Sequence, residues 1–334
     1  MKHTIEDLRQ LQAMDLQSKI MLTKARIREW VEVNGQDNVY VSFSGGKDST
    51  VLLHLVREEY PDVEAVFVNT GLEYPEIQKF AQSFDNVTVL RPKMRFDEVI
   101  RKYGYPIIGK EIAYHIHHAR NGSTYSTKKM KGNIAKKYAR SYTYTKYLPL
   151  LNTDFQISDS CCRIMKKAPT KTIKKYGITA QMAEESNLRT QMWLNNGCNG
   201  FEMKKPTSNP MSFWTEQDVL TYIHTYKIPI CSVYGDIVTS TDGEQLAFEE
   251  CGKFCTTGCK RTGCIFCGFG AHLEKGETRF ERLKHTHPRQ YEYCIGGGAY
   301  DTDGLWKPNK NGLGMGHVFD ELNKIYGENF IRYK

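Results

Sequence analysis

The sequence predicts an α/β fold in which helices cover both faces of a parallel sheet. Two observations support this fold class. Short apolar strands are expected at residues 38–43, 63–69 and 87–91, and helical stretches at 48–60 and 74–84 separate them. Alternation of strands and helices is typical of a parallel sheet with two covered faces. Ligands of such sheets bind beyond the carboxyl ends of the strands, so the loops that follow the strands are the first candidates for a site.

An N-terminal helical extension, residues 1–37, is expected to precede the sheet. Residues 4–33 carry the periodicity of one or two amphipathic helices, and Thr4 followed by Asp7 reads as the start of a capping box. We expect this extension to be structural, packing against the core or against a partner subunit.

The rest of the chain is expected to form two further parts. Residues 38–235 make the domain built on the sheet, and residues 236–334 make a Cys-rich C-terminal region. Within the first part, a helix is predicted at 213–227, with Thr215 as its cap and Trp214 in the core.

A phosphate-binding loop is predicted at residues 42–50, which read Ser-Phe-Ser-Gly-Gly-Lys-Asp-Ser-Thr between an apolar strand and an apolar helix. Glycines let the backbone approach an anion, and the amides and dipole of the first helical turn attract it. Lys47 can neutralise a phosphate. Asp48 would repel phosphates unless Mg²⁺ lay between them, which suggests a metal–nucleotide complex. The spacing fits neither a Walker A loop nor a dinucleotide fingerprint, and a surface turn of small residues is the alternative. The predicted phosphate-binding residues are Ser42, Ser44, Gly45, Gly46, Lys47, Asp48, Ser49 and Thr50.

Residues 42–50 resemble the pyrophosphate loop of the N-type ATP pyrophosphatases, the adenine nucleotide alpha-hydrolase superfamily. That superfamily includes sulfonucleotide reductases, an ATP sulfurylase subunit, tRNA thiolases and the enzyme that installs phosphorothioate in DNA. Residues 66–76 resemble its second-strand motif, with Asn69 in place of an Asp. Cys161–Pro169 and 185–189 resemble the Cys-Cys-x-x-x-Lys-x-x-Pro and Glu-Ser-x-x-Arg elements of the cluster-bearing, PAPS reductase-like branch.

The resemblance covers roughly residues 38–275 and implies a Rossmann-like fold. It implies that Mg²⁺-ATP binds at the loop, with its adenosine near Asn69, Thr70 and Gly71. A catalytic role is expected for Lys47, Asp48, Ser49 and Arg189, and an acceptor-binding role for Lys110, Lys166 and Arg189.

The cysteines carry a second chemical signal, because five of the ten lie within residues 251–267 of a long chain, which favours metal over a disulfide scaffold. A disulfide between the adjacent Cys161 and Cys162 would close a strained ring. Together with Cys264 and Cys267 they supply four thiolates, the usual ligands of a [4Fe–4S] cluster, while tetrahedral Zn²⁺ remains open. The family resemblance points to the same four residues.

The remaining cysteines allow several interpretations. Cys251, Cys255 and Cys259 could form a second small metal site completed by Cys294 or a nearby His, include a redox or sulfur-carrying thiol, or be free. Cys198 and Cys231 are expected to be small buried apolar residues.

Departures from the reductases favour ATP cleavage at the α-phosphate. No cysteine follows Cys294, where reductases carry a Glu-Cys-Gly tail, and the complete Gly-Gly-Lys-Asp-Ser is typical of ATP-cleaving members. Met182 and Ala180 replace an Arg and a Gly of the reductases. We therefore expect an iron–sulfur ATP pyrophosphatase that adenylates an acceptor for sulfur transfer. The alternatives are an APS or PAPS reductase that releases sulfite, and a non-catalytic nucleotide- or redox-sensing module.

A basic, tyrosine-rich stretch runs from Ala113 to Thr153, which contains no Asp or Glu, eight Lys or Arg and six tyrosines. Basic residues interleaved with aromatics can follow a phosphate backbone and stack on bases. Residues 120–147 are therefore expected to contact tRNA or DNA, and a solvated loop or a dimer contact would show the same composition.

Location and partners follow from broader features. The net charge of +8 is modest, the apolar runs are too short to span a bilayer, and the start of the chain does not resemble a signal peptide. We expect a cytoplasmic protein without a membrane partner, a sulfur donor such as a cysteine desulfurase, and a homodimer.

Overall fold

The computed structural model describes residues 2–133, 143–239 and 252–334, and these form two compact units. Unit 1 consists of Met1–Asn69, Glu73–Leu90 and Lys171–Thr262, and unit 2 of Thr70–Leu72, Arg91–Thr170 and Gly263–Lys334. The sequence predicts domain boundaries after residues 37 and 235. The compact units are each assembled from several separate stretches of chain, so they do not test these boundaries, which stay a prediction.

The described helices and strands alternate along most of the chain. The α-helices are α1 (Ile5–Gln12), α2 (Leu16–Asn34), α3 (Lys47–Glu59), α4 (Pro75–Gln82), α5 (Phe96–Tyr103), α6 (Lys110–Arg120), α7 (Thr124–Met130), α8 (Ser160–Cys162), α9 (Asn187–Asn196), α10 (Glu216–Tyr226), α11 (Arg279–Thr286), α12 (Pro288–Ile295) and α13 (Met315–Tyr326). The strands are β1 (Val39–Phe43), β2 (Ala65–Val68), β3 (Val87–Leu90), β4 (Ile107–Ile108), β5 (Tyr176–Ile178), β6 (Asn199–Gly200), β7 (Thr207–Ser208), β8 (Ile237–Thr239), β9 (Phe254–Thr256), β10 (Gly268–Phe269), β11 (Ala299–Tyr300) and β12 (Trp306–Lys307). None of the helices in the described ranges combines the length and apolar character that a membrane span requires.

Unit 1 is built on a six-stranded sheet in the order β3-β2-β1-β5-β7-β6. Every neighbouring pair is parallel except β6 and β7. Helices flank the sheet, with α3 packed against β1 and α4 against β3. The predicted α/β fold with a Rossmann-like parallel sheet is confirmed, and the first three strands lie where the apolar runs predicted them.

The N-terminal helices belong to unit 1 and pack on its core. Thr4 caps α1 through the predicted capping box with Asp7. Trp30 and Ile27 of α2 are fully buried in the same cluster as the strand residues of the sheet. This packing gives the extension the structural role that was expected of it within the protomer.

Two other local predictions hold in unit 1. Thr215 caps α10 with a capping box, and Trp214 is fully buried, where its indole N–H donates to the Thr23 hydroxyl at 2.8 Å. Cys198 and Cys231 are buried, as expected for small apolar side chains.

Unit 2 is mainly helical. Its short strands form two pairs, β4 with β10 in parallel and β11 with β12 in antiparallel orientation. The buried Tyr105 ties the unit together, because its hydroxyl donates to the Leu313 carbonyl at 2.9 Å. Unit 2 contains the four cysteines proposed to bind metal and most of the basic stretch.

Candidate functional site

The phosphate loop connects β1 to the N-terminus of α3. β1 is an inner strand, bordered by β2 and β5, and Gly46 is the residue that precedes the first turn of α3. Gly45 adopts φ +70°, and a Cβ there would lie 3.0 Å from the Ile77 side chain. Only glycine fits this position without strain, so the tight approach of the loop to α4 explains Gly45.

The loop hydroxyls hold the loop in shape. Ser49 and Thr50 both donate to the Gly46 carbonyl, at 2.9 and 3.0 Å. The Ser44 amide donates to the Ser49 hydroxyl at 3.2 Å, and the Ser44 hydroxyl accepts from the Gly46 amide at 3.3 Å. These bonds pre-form the cradle. Direct phosphate binding by these residues and by Ser42 remains a prediction.

Lys47 is buried, with only 3% of its side chain exposed, and its ammonium has three oxygen neighbours. Its Nζ lies 3.0 Å from Glu216 Oε1, donates to the Lys260 carbonyl at 3.1 Å, and lies 3.6 Å from Asp48 Oδ1. A buried ammonium requires such compensation, and here part of it comes from a carboxylate on another element.

Tyr234 completes the wall of the loop. Its hydroxyl accepts from the Lys47 amide at 3.1 Å and lies 2.7 Å from the Thr262 hydroxyl. Burial raises the pKa of Tyr234 to about 12, so the phenol stays neutral. No pattern in the sequence marks Tyr234, Glu216 or the Lys260–Thr262 segment as part of the phosphate loop. The Lys-Arg-Thr run between two cysteines was the available signal, and its position suggested metal chemistry instead.

Asp48 has a buried carboxylate oxygen that faces the Lys47 ammonium at 3.6 Å but makes no hydrogen bond among the described residues. Oδ1 is fully buried and, among the described residues, has no hydrogen-bond partner, although the side chain as a whole is 29% exposed. Burial raises the pKa of Asp48, and the nearby Lys47 opposes this shift. An orphaned carboxylate oxygen beside a phosphate cradle fits a Mg²⁺ ligand, since Mg²⁺ is usually bound through one or two carboxylates plus substrate phosphates.

Arg189 lies in the first turn of α9 and interacts electrostatically with Asp48. It forms an ion pair with Glu185, and Arg261 approaches the same carboxylate at 3.7 Å. Burial and the Arg261 charge lower the pKa of Arg189. The structure therefore brings the predicted Arg189 into the neighbourhood of the phosphate loop, together with a second arginine.

The predicted adenosine-binding residues fall in both units. Asn69 follows β2 in unit 1, is buried, and its side-chain amide donates to Gln78 Oε1 at 3.3 Å. Thr70 and Gly71 belong to unit 2, where the Thr70 hydroxyl accepts from the Leu72 amide at 3.2 Å. Their contact with a nucleotide remains a prediction.

The four cysteines proposed to bind a cluster all lie in unit 2. Cys161 and Cys162 form α8, which continues as a π-helical turn through Lys167, a geometry that is frequent at functional sites. The Cys161 thiol hydrogen-bonds to Cys162. This bond and the charges of Lys110 and Lys166 lower the pKa of Cys162, against the effect of burial. A lowered pKa favours the thiolate, which is the form of cysteine that binds metals.

Two other thiols of the set, those of Cys161 and Cys267, have raised pKa values. The hydrogen bond to Cys162 and burial raise the pKa of Cys161, and the neighbouring Cys264 and Cys267 add to the effect. Burial raises the pKa of Cys267. Across the described ranges, no group of three or more His, Cys, Asp or Glu residues has an arrangement that could hold a metal. The thiols influence one another electrostatically. As soft sulfur donors, they are ligands of the kind that iron–sulfur clusters and Zn²⁺ bind. Their role as ligands remains a prediction.

Lys110 is positioned by a strained residue. Ile108 is buried in β4 with φ +66°, which is a rare conformation for a β-branched residue. β4 pairs with β10, which directly follows Cys267, and the Ile108 carbonyl accepts from the Gly270 amide at 2.8 Å. The chain then begins α6 at Lys110. Backbone strain of this kind clusters at functional sites.

The remaining cysteines differ in exposure. Cys294 is completely buried against the Met315 sulfur, and burial raises the pKa of its thiol. Cys259 is 6% exposed and Cys255, in β9, is half-buried. Cys251 lies outside the described residues. The second metal site considered for these cysteines has no counterpart in the part of the chain that the structure describes.

In the described part of the basic stretch, some lysines make contacts within the protein and others are exposed to solvent. Lys129 is buried and bonds to Glu111 at 2.9 Å, and Lys146 lies over the rings of Tyr326 and Phe330. Lys128 and Lys131 are exposed. The predicted contributions of Lys136, Lys137 and Arg140 lie outside the described residues.

Unit 1 combines a parallel sheet with a glycine-rich loop at the start of α3, an arrangement that is common among nucleotide-binding α/β proteins. The model of the phosphoadenosine phosphosulfate reductase domain matches residues 38–107 and 110–268, which is more than half of the 334 residues. The chain therefore belongs to this family. The resemblance drawn from the sequence motifs is confirmed.

Individual relatives are more distant. An uncharacterized protein of Methanocaldococcus jannaschii is 38% identical over 87 residues, which is 24% of this chain and 21% of that protein. A phosphoadenosine 5′-phosphosulfate reductase of Xanthomonas axonopodis pv. citri is 31% identical over 25% of this chain and 36% of its own length. The chain thus spans well under half of these two relatives. An adenosine 5′-phosphosulfate reductase of Bacillus cereus is 20% identical over 61% of this chain and 70% of its own length.

Two solved structures overlap loosely with the fold. A phosphoadenylyl-sulfate reductase from Candida auris in a phosphate complex has a TM-score of 0.35 at 14% identity, covering 70% of this chain and 91% of its own. A U34-tRNA thiolase from Methanococcus maripaludis with its [4Fe-4S] cluster has a TM-score of 0.32 at 14% identity, covering 93% and 89%. Both are too distant to bear on activity.

Proposed function

We propose that this protein binds Mg²⁺-ATP at the phosphate loop of unit 1 and cleaves it between the α- and β-phosphates, so that an acceptor is adenylated for sulfur transfer. The observation that carries this proposal is the buried Oδ1 of Asp48, without a hydrogen-bond partner among the described residues, beside the buried ammonium of Lys47. A carboxylate in a phosphate cradle is repulsive on its own. It becomes favourable when a divalent cation bridges it to the phosphates.

The residues of unit 1 would act by positioning and charge stabilisation. An acceptor oxygen attacks the α-phosphorus, the bond to the β-phosphate oxygen breaks, and pyrophosphate leaves with both bonding electrons. Lys47 would exchange Glu216 for a phosphate oxygen, and Arg189 would face the acceptor or the α-phosphate. When bound, Mg²⁺ would neutralise charge on the departing pyrophosphate.

The sulfur-transfer half of the reaction would use unit 2. Cys161, Cys162, Cys264 and Cys267 would hold a [4Fe–4S] cluster, with Zn²⁺ as the alternative, and the cluster would supply a sulfur-binding or electron-transfer site when bound. Lys110 and Lys166, which already influence the Cys162 thiolate, would hold the anionic group of the acceptor. Sulfur at the sulfide level (HS⁻) bonds to the activated atom, the bond from that atom to the adenylated oxygen breaks, and AMP leaves with this oxygen and both bonding electrons; a persulfide donor would require a two-electron reductant in addition.

The acceptor is proposed to be a nucleic acid, tRNA or DNA. Support comes from the acid-free stretch between Ala113 and Thr153 and from the exposed side chains of Tyr125, Lys128 and Lys131. Phosphate backbones bind to such surfaces through counterion release, so binding should weaken steeply with salt.

The test is anaerobic incubation of cluster-replete protein with ATP labelled in the α- or γ-phosphate, with and without bulk tRNA or DNA. Release of pyrophosphate and AMP that one nucleic acid stimulates is expected. Lys47→Ala and Asp48→Asn should each reduce it by at least about 100-fold, while Lys204→Ala, which changes an exposed lysine of unit 1, should not. If the wild-type protein leaves ATP intact with every acceptor, the adenylation mechanism is wrong.

Sulfonucleotide reduction is the second candidate, favoured by membership of the reductase domain family. The described cysteines that could supply a redox thiol outside the proposed cluster set are Cys255, Cys259 and Cys294. Cys259 and Cys294 are buried, and Cys255 retains partial exposure. Cys255 is therefore the thiol to test. Thioredoxin-dependent release of sulfite from PAPS that is lost in Cys255→Ser would support the reductase, and the absence of sulfite would exclude it.

A further inference from the structure

An open cavity of about 570 Å³ lies in unit 2, beside the exposed lysines of the basic stretch. Its walls come from α6, from α7 and its C-terminal cap, and from the 3₁₀ segment Thr145–Asn152. The lining residues are Ala119, Arg120, Thr127, Lys131, Leu148, Pro149, Leu151 and Asn152. Half of these side chains are apolar, and the set contains no carboxylate. The volume falls in the range of small-molecule sites and exceeds what one nucleobase needs.

Arg120 forms a rigid wall of this cavity. Its guanidinium donates to the carbonyls of Leu151, Thr153 and Phe155 at 3.0, 2.8 and 2.6 Å, and to the Thr153 hydroxyl at 2.8 Å. The edge of the guanidinium is therefore almost fully used in holding the end of the 3₁₀ segment and the residues that follow it. What remains for a ligand is the flat face, and guanidinium planes are stacking surfaces for unpaired bases.

The helix beside the cavity presents a regular exposed row. Tyr125 is 59% exposed, and Lys128 and Lys131 follow at intervals of three residues, so that they lie along one side of α7 and its C-terminal cap. Lys129 is excluded from this row because it is buried on Glu111. An exposed aromatic ring beside two exposed cations supplies the groups that stack on bases and neutralise phosphates of a single strand.

We propose that the cavity binds one unstacked nucleotide of a single-stranded nucleic acid. The base stacks on the Arg120 plane among the apolar side chains, with the exposed Asn152 amide at its edge. Lys128 and Lys131 neutralise the flanking phosphates, and the next base stacks on Tyr125. A base within a duplex cannot enter, because it is already stacked and paired. This inference rests on the proposed nucleic-acid acceptor and specifies its form as a loop or a single strand.

The test uses a hairpin with 2-aminopurine in its loop, because the fluorescence of this base reports unstacking and insertion. RNA and DNA versions and a fully paired duplex are compared. We expect the looped probes to bind at least tenfold more tightly than the duplex and to change fluorescence on binding. Ala119→Phe, which fills the cavity without changing charge, should weaken loop binding about tenfold and remove the fluorescence change. Lys131→Ala should reduce the slope of log affinity against log salt concentration by about one, the value for one phosphate contact. Lys310→Ala, at an exposed site elsewhere in unit 2, should change neither loop binding nor its salt dependence.

Asn152→Ala at the exposed rim is a second variant, in case Ala119→Phe misfolds. Equal binding of duplex and loop, or loop binding by both cavity variants at wild-type strength, would overturn the proposal. Preference for the RNA or the DNA loop identifies the acceptor, and either preference supports the site. The two proposals fail separately. If loop binding depends on the cavity but ATP is not cleaved, the cavity proposal stands and the adenylation proposal is wrong. If the cavity variants change neither loop binding nor pyrophosphate release, the cavity proposal is wrong and the adenylation proposal stands.

Discussion

Glu216 acts as an internal counter-ion for Lys47, and its removal should strengthen nucleotide binding. The Glu216 carboxylate lies 3.0 Å from the Lys47 ammonium, where a phosphate oxygen of ATP would have to bind. Binding therefore requires this ion pair to break. Glu216→Gln keeps the shape of the side chain and removes its charge. The start of α10 should persist, because the amide of residue 216 donates to the Glu184 carboxylate at 2.5 Å and Thr215 remains the cap.

The size of the effect follows from exposure. Lys47 is 3% exposed and Glu216 is 39% exposed, so the pair is partly screened by solvent. A pair of this kind contributes about 1 kcal/mol, the upper end of the range for solvent-accessible pairs. Removing it should lower the free energy of unfolding of the unliganded protein by about 1 kcal/mol and tighten ATP binding about fivefold.

Calorimetric titration with Mg²⁺-ATP and urea unfolding would measure the two effects. The control is Glu202→Gln, which breaks an exposed pair with Lys2 in the same unit and should leave ATP affinity unchanged. Weaker ATP binding by Glu216→Gln would refute the reasoning, because it would show that Glu216 contributes to the nucleotide site. Unchanged affinity would show that Lys47 keeps its partner when ATP binds.

Three further outcomes are expected. Asp218→Asn should lower the free energy of unfolding by about 3 kcal/mol in urea titrations, because it leaves the Lys19 ammonium, 2% exposed and 2.7 Å from the Asp218 carboxylate, without its charge partner; a loss below 0.5 kcal/mol would contradict an anchoring role for this pair. Burial lowers the pKa of His115 below its ordinary 6.5, so protonation favours the unfolded chain and the free energy of unfolding should fall as the pH drops from 6.5 towards the folded-state pKa. His115→Asn should flatten this decline between pH 7.5 and 5 in unfolding titrations, and an identical slope would show that His115 does not cause it. Cys294→Ala should cost about 1 kcal/mol of stability, because it opens a small void at a fully buried position, yet retain pyrophosphate release; a selective loss of activity in a stably folded variant would give Cys294 a chemical role.

Features fixed by neighbours in the chain were accessible from the sequence. The capping boxes of Thr4 and Thr215 depend on a partner three residues away, and the loop between β1 and α3 is specified by adjacent glycines and flanking apolar runs. The positions of the first three strands follow from short apolar runs, which are local signals as well. These predictions could be made because each depends on a short stretch.

Contacts over long separations could not be predicted in the same way. Tyr234 reaches Lys47 across 187 positions and Glu216 reaches it across 169, and no local pattern marks either residue. Nor does the composition of the basic stretch show that Lys129 is spent on Glu111 whereas Lys128 is free to face solvent. Such assignments depend on which side chains the tertiary fold buries, and a charge count alone cannot make them.

The left-handed backbone of Ile108 has a consequence for the motions of unit 2. A conformation of this kind costs on the order of 1–3 kcal/mol, which the surrounding contacts must offset. Those contacts are the two-residue pairing of β4 with β10 and the bond from the Gly270 amide. If that pairing opens, Ile108 can relax, and the relaxation opposes reclosure. Amide hydrogens at Gly268–Gly270 and in the first turn of α6 should therefore exchange with solvent as one cooperative group, so that the Cys267 strand and the Lys110 helix lose their order together.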